Sequence, residues 1–391
     1  MHIPDGYLSP QTCVVAYAAA VPTWTVASRR VTKVVKTRSV PLLAMFAALS
    51  FLVMMFNVPI PDGTTAHAVG AVIIALVLGP WAAVIAVSVA LLFQALLFGD
   101  GGVLTYGANV LNMAIIMPFV GLAVYRLVAA DAPLTSRRRV VAAAVAGYVG
   151  INGAALAAAI ELGIQPGLFH TASGAPLYSP YNLSQTVPAM LVAHLTVAGA
   201  AEAILTAGVF AYLQRADLHR LVPNHPGVTL TEGSRAVPQS SGLTPARVAV
   251  GFILVMVALT PLGLLAPGGA FGEDAPQDLD LAKLGLSSVP EGLNRYNGFW
   301  SHTLLGGYGF SNGENATIGY WLSAVVGIAV IALVIFLLGK VAERIVGRRE
   351  PSADRAGARR AGRTVDVAGV ERASSPSGQS AGSGGEAGRS S

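Results

Sequence analysis

A chain that opens Met1-His2 carries three nitrogens able to close on one metal ion: the terminal amine, the His2 amide nitrogen and the His2 imidazole Nδ1. Amine and amide close a five-membered chelate ring, and amide and imidazole a six-membered one. The three donors then lie in a plane with one corner open. Histidine at position 3 would fill all four corners by itself; at position 2 it leaves room for a donor from elsewhere. The candidate is His67, at the end of the stretch Pro61-Asp62-Gly63-Thr64-Thr65-Ala66-His67. A planar or tetragonal nitrogen field suits Ni(II) and Cu(II), with Co(II) a third choice. A second-position histidine identifies nothing by itself, because chain ends are mobile unless tied down. The rest of the chain must supply the tie.

That chain is apolar. Of 391 residues, 53% are hydrophobic and 12% charged, against about 25% charged in soluble domains, and the mean hydropathy is +0.61. Long uncharged runs make it an all-α polytopic membrane protein. Its formal charge of +5 is no nucleic-acid signal, because the basic residues sit in loops between apolar runs. The single cysteine, Cys13, excludes an intramolecular disulfide and a cysteine-rich metal site. No Lys or Arg precedes Arg29, so the start lacks the positive n-region of a signal peptide. Met1 is therefore expected to be retained, and its amine with it.

Nine apolar segments are predicted, at about 8–28, 41–57, 66–78, 81–98, 103–125, 140–160, 186–213, 248–266 and 318–338. The third and fourth divide at Gly79-Pro80, a natural break. A Pro-, Ser- and Gly-containing linker over 216–246 separates a domain of residues 1–215 from a two-helix membrane unit at 247–345. Residues 346–391, rich in Ser, Gly, Ala and Arg, read as a disordered cytoplasmic tail. With the N-terminus outside, all of the 25 basic residues except Lys283 and Arg295 fall on the cytoplasmic side. Met1, His2 and His67 then lie at the outer face. Three triplets, Pro4-Asp5-Gly6, Pro61-Asp62-Gly63 and Pro290-Glu291-Gly292, fall outside as well and read as turns.

Other polar residues interrupt the apolar runs. His194 and Glu202 share the seventh segment, too far apart along the helix to chelate one ion; interhelical hydrogen bonding and a translocation role are the two readings. Asn109, Asn112 and Gln94 are candidates for helix contacts or for support around the metal. Ala44 and Ala48 form a small-xxx-small pair suited to a contact with a scaffold partner. His170 and His302 fall in outer loops, His219 and His225 on the cytoplasmic side.

The stretch Met1-His2-Ile3-Pro4-Asp5-Gly6-Tyr7-Leu8-Ser9-Pro10, together with Pro61 to His67, resembles the CbiM/NikM family over about residues 1–215. These are substrate-binding components of energy-coupling factor transporters for cobalt and nickel. The resemblance implies a bundle of about seven helices, an N-terminus inserted into an outward-facing pocket, and ligand roles for Met1, His2 and His67. It implies no prosthetic group, with Ni(II) or Co(II) bound as cargo. It implies a transmembrane scaffold subunit of the CbiQ/NikQ type and ATPase subunits of the CbiO/NikO type in the lipid bilayer of the cell membrane, and no nucleic-acid partner. The last two segments resemble a fused CbiN- or PDGLE-type unit, departing from that motif at Glu291 and Asn294. The chain has no G-x-x-x-x-G-K-[ST] phosphate loop and no His-Glu-x-x-His, so it reads as a transport component and not an enzyme. A proton-coupled secondary transporter and a membrane metal sensor are the alternatives.

Overall fold

The computed structural model describes residues 1–34, 40–60, 64–225, 245–266, 269–310 and 313–347. Helix α1 (Pro10–Val34) starts where Ser9 Oγ accepts the Thr12 amide at 3.1 Å and Pro10 takes the first helical position. α2 (Val40–Met54) is buried along most of its length. A short antiparallel hairpin, β1 (Val58–Ile60) with β2 (Thr64–Ala66), follows, pairing Val58 with Ala66. α3 (Ala71–Leu78) and α4 (Pro80–Phe93) are joined at Gly79, whose φ of 90° favours glycine. α4 runs on as a π-helical stretch, Gln94–Phe98.

α5 (Tyr106–Asn109), a second π-helical stretch (Val110–Ile116) and α6 (Met117–Ala129) form one continuous rod. α7 (Arg137–Gly163) begins at a Ser136 cap and is followed by α8 (Gln165–Leu168). α9 (Leu183–Ala193) opens with an Asn182–Gln185 capping box and passes through a third π-helical stretch, His194–Ala198, into α10 (Gly199–Ala216). Toward the C-terminus lie α11 (Pro245–Leu259), α12 (Glu291–Tyr296) and α13 (Ala316–Gly347).

Up to Ala216 the described residues make seven rods: α1, α2, α3, α4, α5–α6, α7 and α9–α10. Among the described residues, six helical stretches are long and apolar enough to cross a membrane: Pro80–Phe98, Tyr106–Ala129, Arg137–Leu168, Leu183–Ala216, Arg247–Leu265 and Ala316–Ala342. The protein is an all-α polytopic membrane protein, as its composition predicts.

The predicted third segment, 66–78, is corrected. Ala66 ends a strand, residues 67–70 are irregular, and only eight residues are helical. Hydropathy marks this run as a span because it is apolar, but it is apolar through enclosure: Ala71 to Val77 are all buried. Irregular backbone at membrane depth is tolerated where protein surrounds it. Small residues permit the enclosure, since a Cβ on Gly121 or Gly150 would lie 2.5 or 2.8 Å from Val72 of α3.

Met1–Lys340 form one compact unit, which takes in the predicted domain of residues 1–215 and the predicted membrane unit as far as Lys340; Val341–Ser391 form a second, described only through Gly347. Within the first, the C-terminal helices lie against α2. A Cβ on Gly327 would sit 2.2 Å from the Phe51 ring and one on Gly339 would sit 2.9 Å from Val40. At the start of the predicted linker, Leu218 is buried in a short 3-10 turn, and Leu221 and His225, which flank a second, are buried as well. Residues 226–244 and 348–391 lie outside the described residues, as does the Pro61-Asp62-Gly63 triplet. Pro4-Asp5-Gly6 is a turn, with Gly6 at φ 94°. Pro290-Glu291-Gly292 is not: Pro290 caps α12 and Gly292 lies inside it.

Candidate metal site

The N-terminus is threaded into the protein, with Met1 3% and His2 4% exposed. Hydrogen bonds fix it residue by residue. The Ile3 amide donates to Asn109 Oδ1 at 2.8 Å. The Ile3 carbonyl accepts from Asn109 Nδ2, from Thr105 Oγ1 and from the Gly102 amide. The Asp5 carboxylate accepts the amides of Val103, Leu104 and Thr105 at 2.8–3.1 Å, capping the entry to α5. Burial pushes the Asp5 carboxyl pKa up, and these amides pull it back. Tyr7 donates its hydroxyl to the Asp274 carbonyl at 2.8 Å and accepts the Ser179 amide on its own carbonyl.

Gly102 leaves no space for a side chain, because a Cβ there would lie 2.0 Å from Asp5 Oδ1. Gly102→Ala is therefore expected to push the Pro4-Asp5-Gly6 turn off its seat. Metal affinity should fall more than tenfold, about 1.4 kcal/mol, in a titration of folded protein; an unchanged affinity would show that the terminus holds without this contact.

The β1–β2 hairpin delivers His67 to the same place. The His2 and His67 rings stack with centroids 4.9 Å apart and an interplanar angle of 27°. His67 Nδ1 bonds the Ala68 carbonyl at 3.0 Å, which only accepts, so Nδ1 carries the hydrogen and Nε2 the lone pair. Nε2 of both histidines is buried without a hydrogen-bond partner. Burial first, then the positive charge of the Met1 amine, lower the His2 pKa to about 3, against opposing effects of Glu273 and Gln94. The same two causes, with His2 added, hold His67 well below its ordinary value. Both shifts favour the neutral imidazole, the form that ligates metal.

Each remaining donor rests on a carboxylate. The Met1 ammonium pairs with Glu273 Oε1 at 3.2 Å. His2 Nδ1 faces Asp100 Oδ1 at 3.0 Å. Asp100 Oδ2 accepts from Tyr308 and from Gln94 Nε2, the latter at 3.2 Å. Burial raises the Asp100 pKa; the Tyr308 bond and the amine's charge lower it. The nitrogens of the sequence-derived chelate are thus together but not arranged as a chelate, because Nδ1 of His2 points at Asp100. Among the described residues, no group of three or more His, Cys, Asp or Glu side chains forms a metal cluster.

The structure separates the other candidates. Asn109 clamps Ile3 beside the site. Asn112 donates to Glu161 Oε2 at 2.7 Å and does not touch it. His194 bonds Met190 of its own helix at 2.7 Å and accepts Asn152 Nδ2 on its carbonyl. Glu202 accepts the Val69 and Gly70 amides. Ala48 is buried and Ala44 half-buried, so the pair presents no shared open face. His170, His219 and His302 are exposed, and His225 is buried on Tyr125.

Asp100, Glu273 and Tyr308 escape sequence reasoning. Asp100 carried a signal, an acid among glycines (Gly99-Asp100-Gly101-Gly102) at the end of an apolar segment. Glu273 carried none, lying 272 residues from its partner.

Residues 2–219 match the CbiM family, described as the cobalt uptake substrate-specific transmembrane region. The chain is 49% identical over 343 residues to the fused nickel transport protein NikMN of Rhodobacter capsulatus, covering 85% of this chain and 95% of that protein. It is 46% identical to the probable fused nickel transport protein LarMN of Lactiplantibacillus plantarum, covering 86% and 96%. A crystal structure of a truncated transition metal transporter is 59% identical, covers 55% of this chain and 98% of that one, and superposes with a TM-score of 0.52.

Proposed function

The chain belongs to the CbiM family of cobalt uptake substrate-specific transmembrane regions, and from that premise we propose that it is the ion-capturing component of an ATP-driven energy-coupling factor transporter importing Ni(II) or Co(II). One observation carries this reading: the His2 and His67 rings stack beside the buried Met1 amine, and His67 Nε2, the proposed fourth donor, is buried without a hydrogen-bond partner. The cargo is held by the Met1 amine, the His2 amide nitrogen and Nδ1, and His67 Nε2. Loading moves His2 Nδ1 off Asp100 and the amine off Glu273. No prosthetic group takes part.

ATP hydrolysis belongs to separate subunits, joined through a transmembrane scaffold subunit in the cell membrane. Residues 1–215 form the capture domain and 247–345 the fused auxiliary unit, with the N-terminus outside and the tail after 346 cytoplasmic.

His67→Ala tests the site. It leaves three nitrogens with water at the fourth corner, and Ni(II) affinity is expected to fall more than tenfold, over about 1.4 kcal/mol. Unchanged affinity in correctly folded protein would remove His67. Orientation is tested by a reporter fused after Arg349, which should be active only in the cytoplasm. The energy source is tested in vesicles holding this chain alone under a proton gradient: no uptake is expected, and uptake would make it a secondary transporter.

A further inference from the structure

We infer that Glu202 and Ser50 are positioning residues for His67, holding it at the metal site through the backbone of Val69 and Gly70. This rests on His67 being a ligand. His67 lies on irregular chain between β2 and α3, a segment free to drift unless something fixes it. The cap of α3 does not fix it from within: Gly70, in the left-handed region at φ 76°, offers no side chain.

The missing acceptor comes from another helix. Glu202 of α10, 0% exposed, takes the Val69 amide at 2.8 Å and the Gly70 amide at 2.9 Å on one oxygen, Oε2. Its other oxygen accepts Thr206 Oγ1 at 3.3 Å. A carboxylate at a helix start answers unpaired amides and the positive end of the helix dipole. The Val69 carbonyl is held from the opposite side, by Ser50 Oγ of α2 at 2.7 Å.

One peptide segment, two residues past His67, is therefore gripped by side chains from two helices, Ser50 of α2 and Glu202 of α10. The His67 ring in turn is tied to that segment, since Nδ1 bonds Ala68 O. Leu205, one turn along α10, packs against Gly70 and adds contact on the same side. The position of the fourth donor is thus set by α2 and α10. This gives the buried carboxylate a role that neither chelation nor proton transfer requires.

The test compares Ni(II) spectra of full-length purified protein carrying Glu202→Gln, Glu202→Ala, Ser50→Ala or His67→Ala. Loss of the fourth nitrogen weakens the planar field and moves the metal-centred absorption band to longer wavelength. Glu202→Ala is expected to reproduce the His67→Ala band and lose about tenfold in affinity. Glu202→Gln, which keeps one acceptor oxygen, should fall between it and wild type. A helix cap with no bearing on His67 would leave the band where it is in wild type.

A wild-type band and affinity in folded Glu202→Ala, beside a shifted His67→Ala, overturns the inference alone. A silent His67→Ala removes the ligand reading and this inference with it. If Glu202→Ala does not fold, Ser50→Ala decides: a shifted band supports the grip on Val69, and a wild-type band overturns it.

Discussion

Acetylating Met1, or placing a tag ahead of it, is expected to abolish tight Ni(II) binding. The amine closes the five-membered ring, and without it the His2 amide nitrogen loses the neighbouring donor that anchors its deprotonation. The fold adds a second penalty. Met1 is 3% exposed and its ammonium pairs with Glu273, so neutralising it leaves a partly buried carboxylate without its partner.

A lysine inserted between Met1 and His2 should act differently. Histidine is then third, and amine, two amides and imidazole occupy four corners by themselves. Metal binding is retained, dependence on His67 is lost, and uptake is lost because the ion sits outside its pocket. Binding and uptake measured for the insertion, with and without His67→Ala, check this. Normal uptake by the acetylated or the inserted protein would mean that Met1 and His2 do not form the site.

That Met1 and His2 could offer donors together was legible because ring sizes follow from covalent connectivity, whatever the fold. His67 was singled out because a planar set of three donors leaves room for one more nitrogen, and the fold stacks its ring on that of His2. The all-α membrane architecture follows from composition in the same direct way. The surroundings were not legible, for a physical reason. Asp100, Glu273 and Tyr308 act through contacts that only the tertiary fold creates, two of them from beyond residue 270. Glu202 stood out as a buried acid but its partner did not, because its partners are backbone amides, which every residue has. The short α3 misled for a related cause: apolar sequence reports removal from water and does not distinguish lipid from protein as the surrounding medium.

Ion binding is expected to strengthen about a hundredfold, about 2.7 kcal/mol, for each unit rise in pH while two protons leave per bound ion. The reason is proton balance. Coordination converts ammonium to amine and the His2 amide to its anion, so two protons leave for each divalent ion that enters and the pocket's net charge is unchanged. The histidines add nothing to this count. Burial and the amine's charge lower His2 to about 3 and hold His67 well below its ordinary value, so both shifts act against a second proton on either ring near neutral pH. Because free protein binds more protons than loaded protein, affinity must rise with pH and fall with acid. A plot of log affinity against pH should have a slope near two, and calorimetry in buffers of different ionisation enthalpy should count two protons per ion. A slope near one would mean that the amine or the amide is not a donor, or that Asp100 or Glu273, parted from its partner on loading, takes up one proton. A slope above two between about pH 5 and 7 would mean that the histidines are charged in the free protein, contrary to their burial beside a cation.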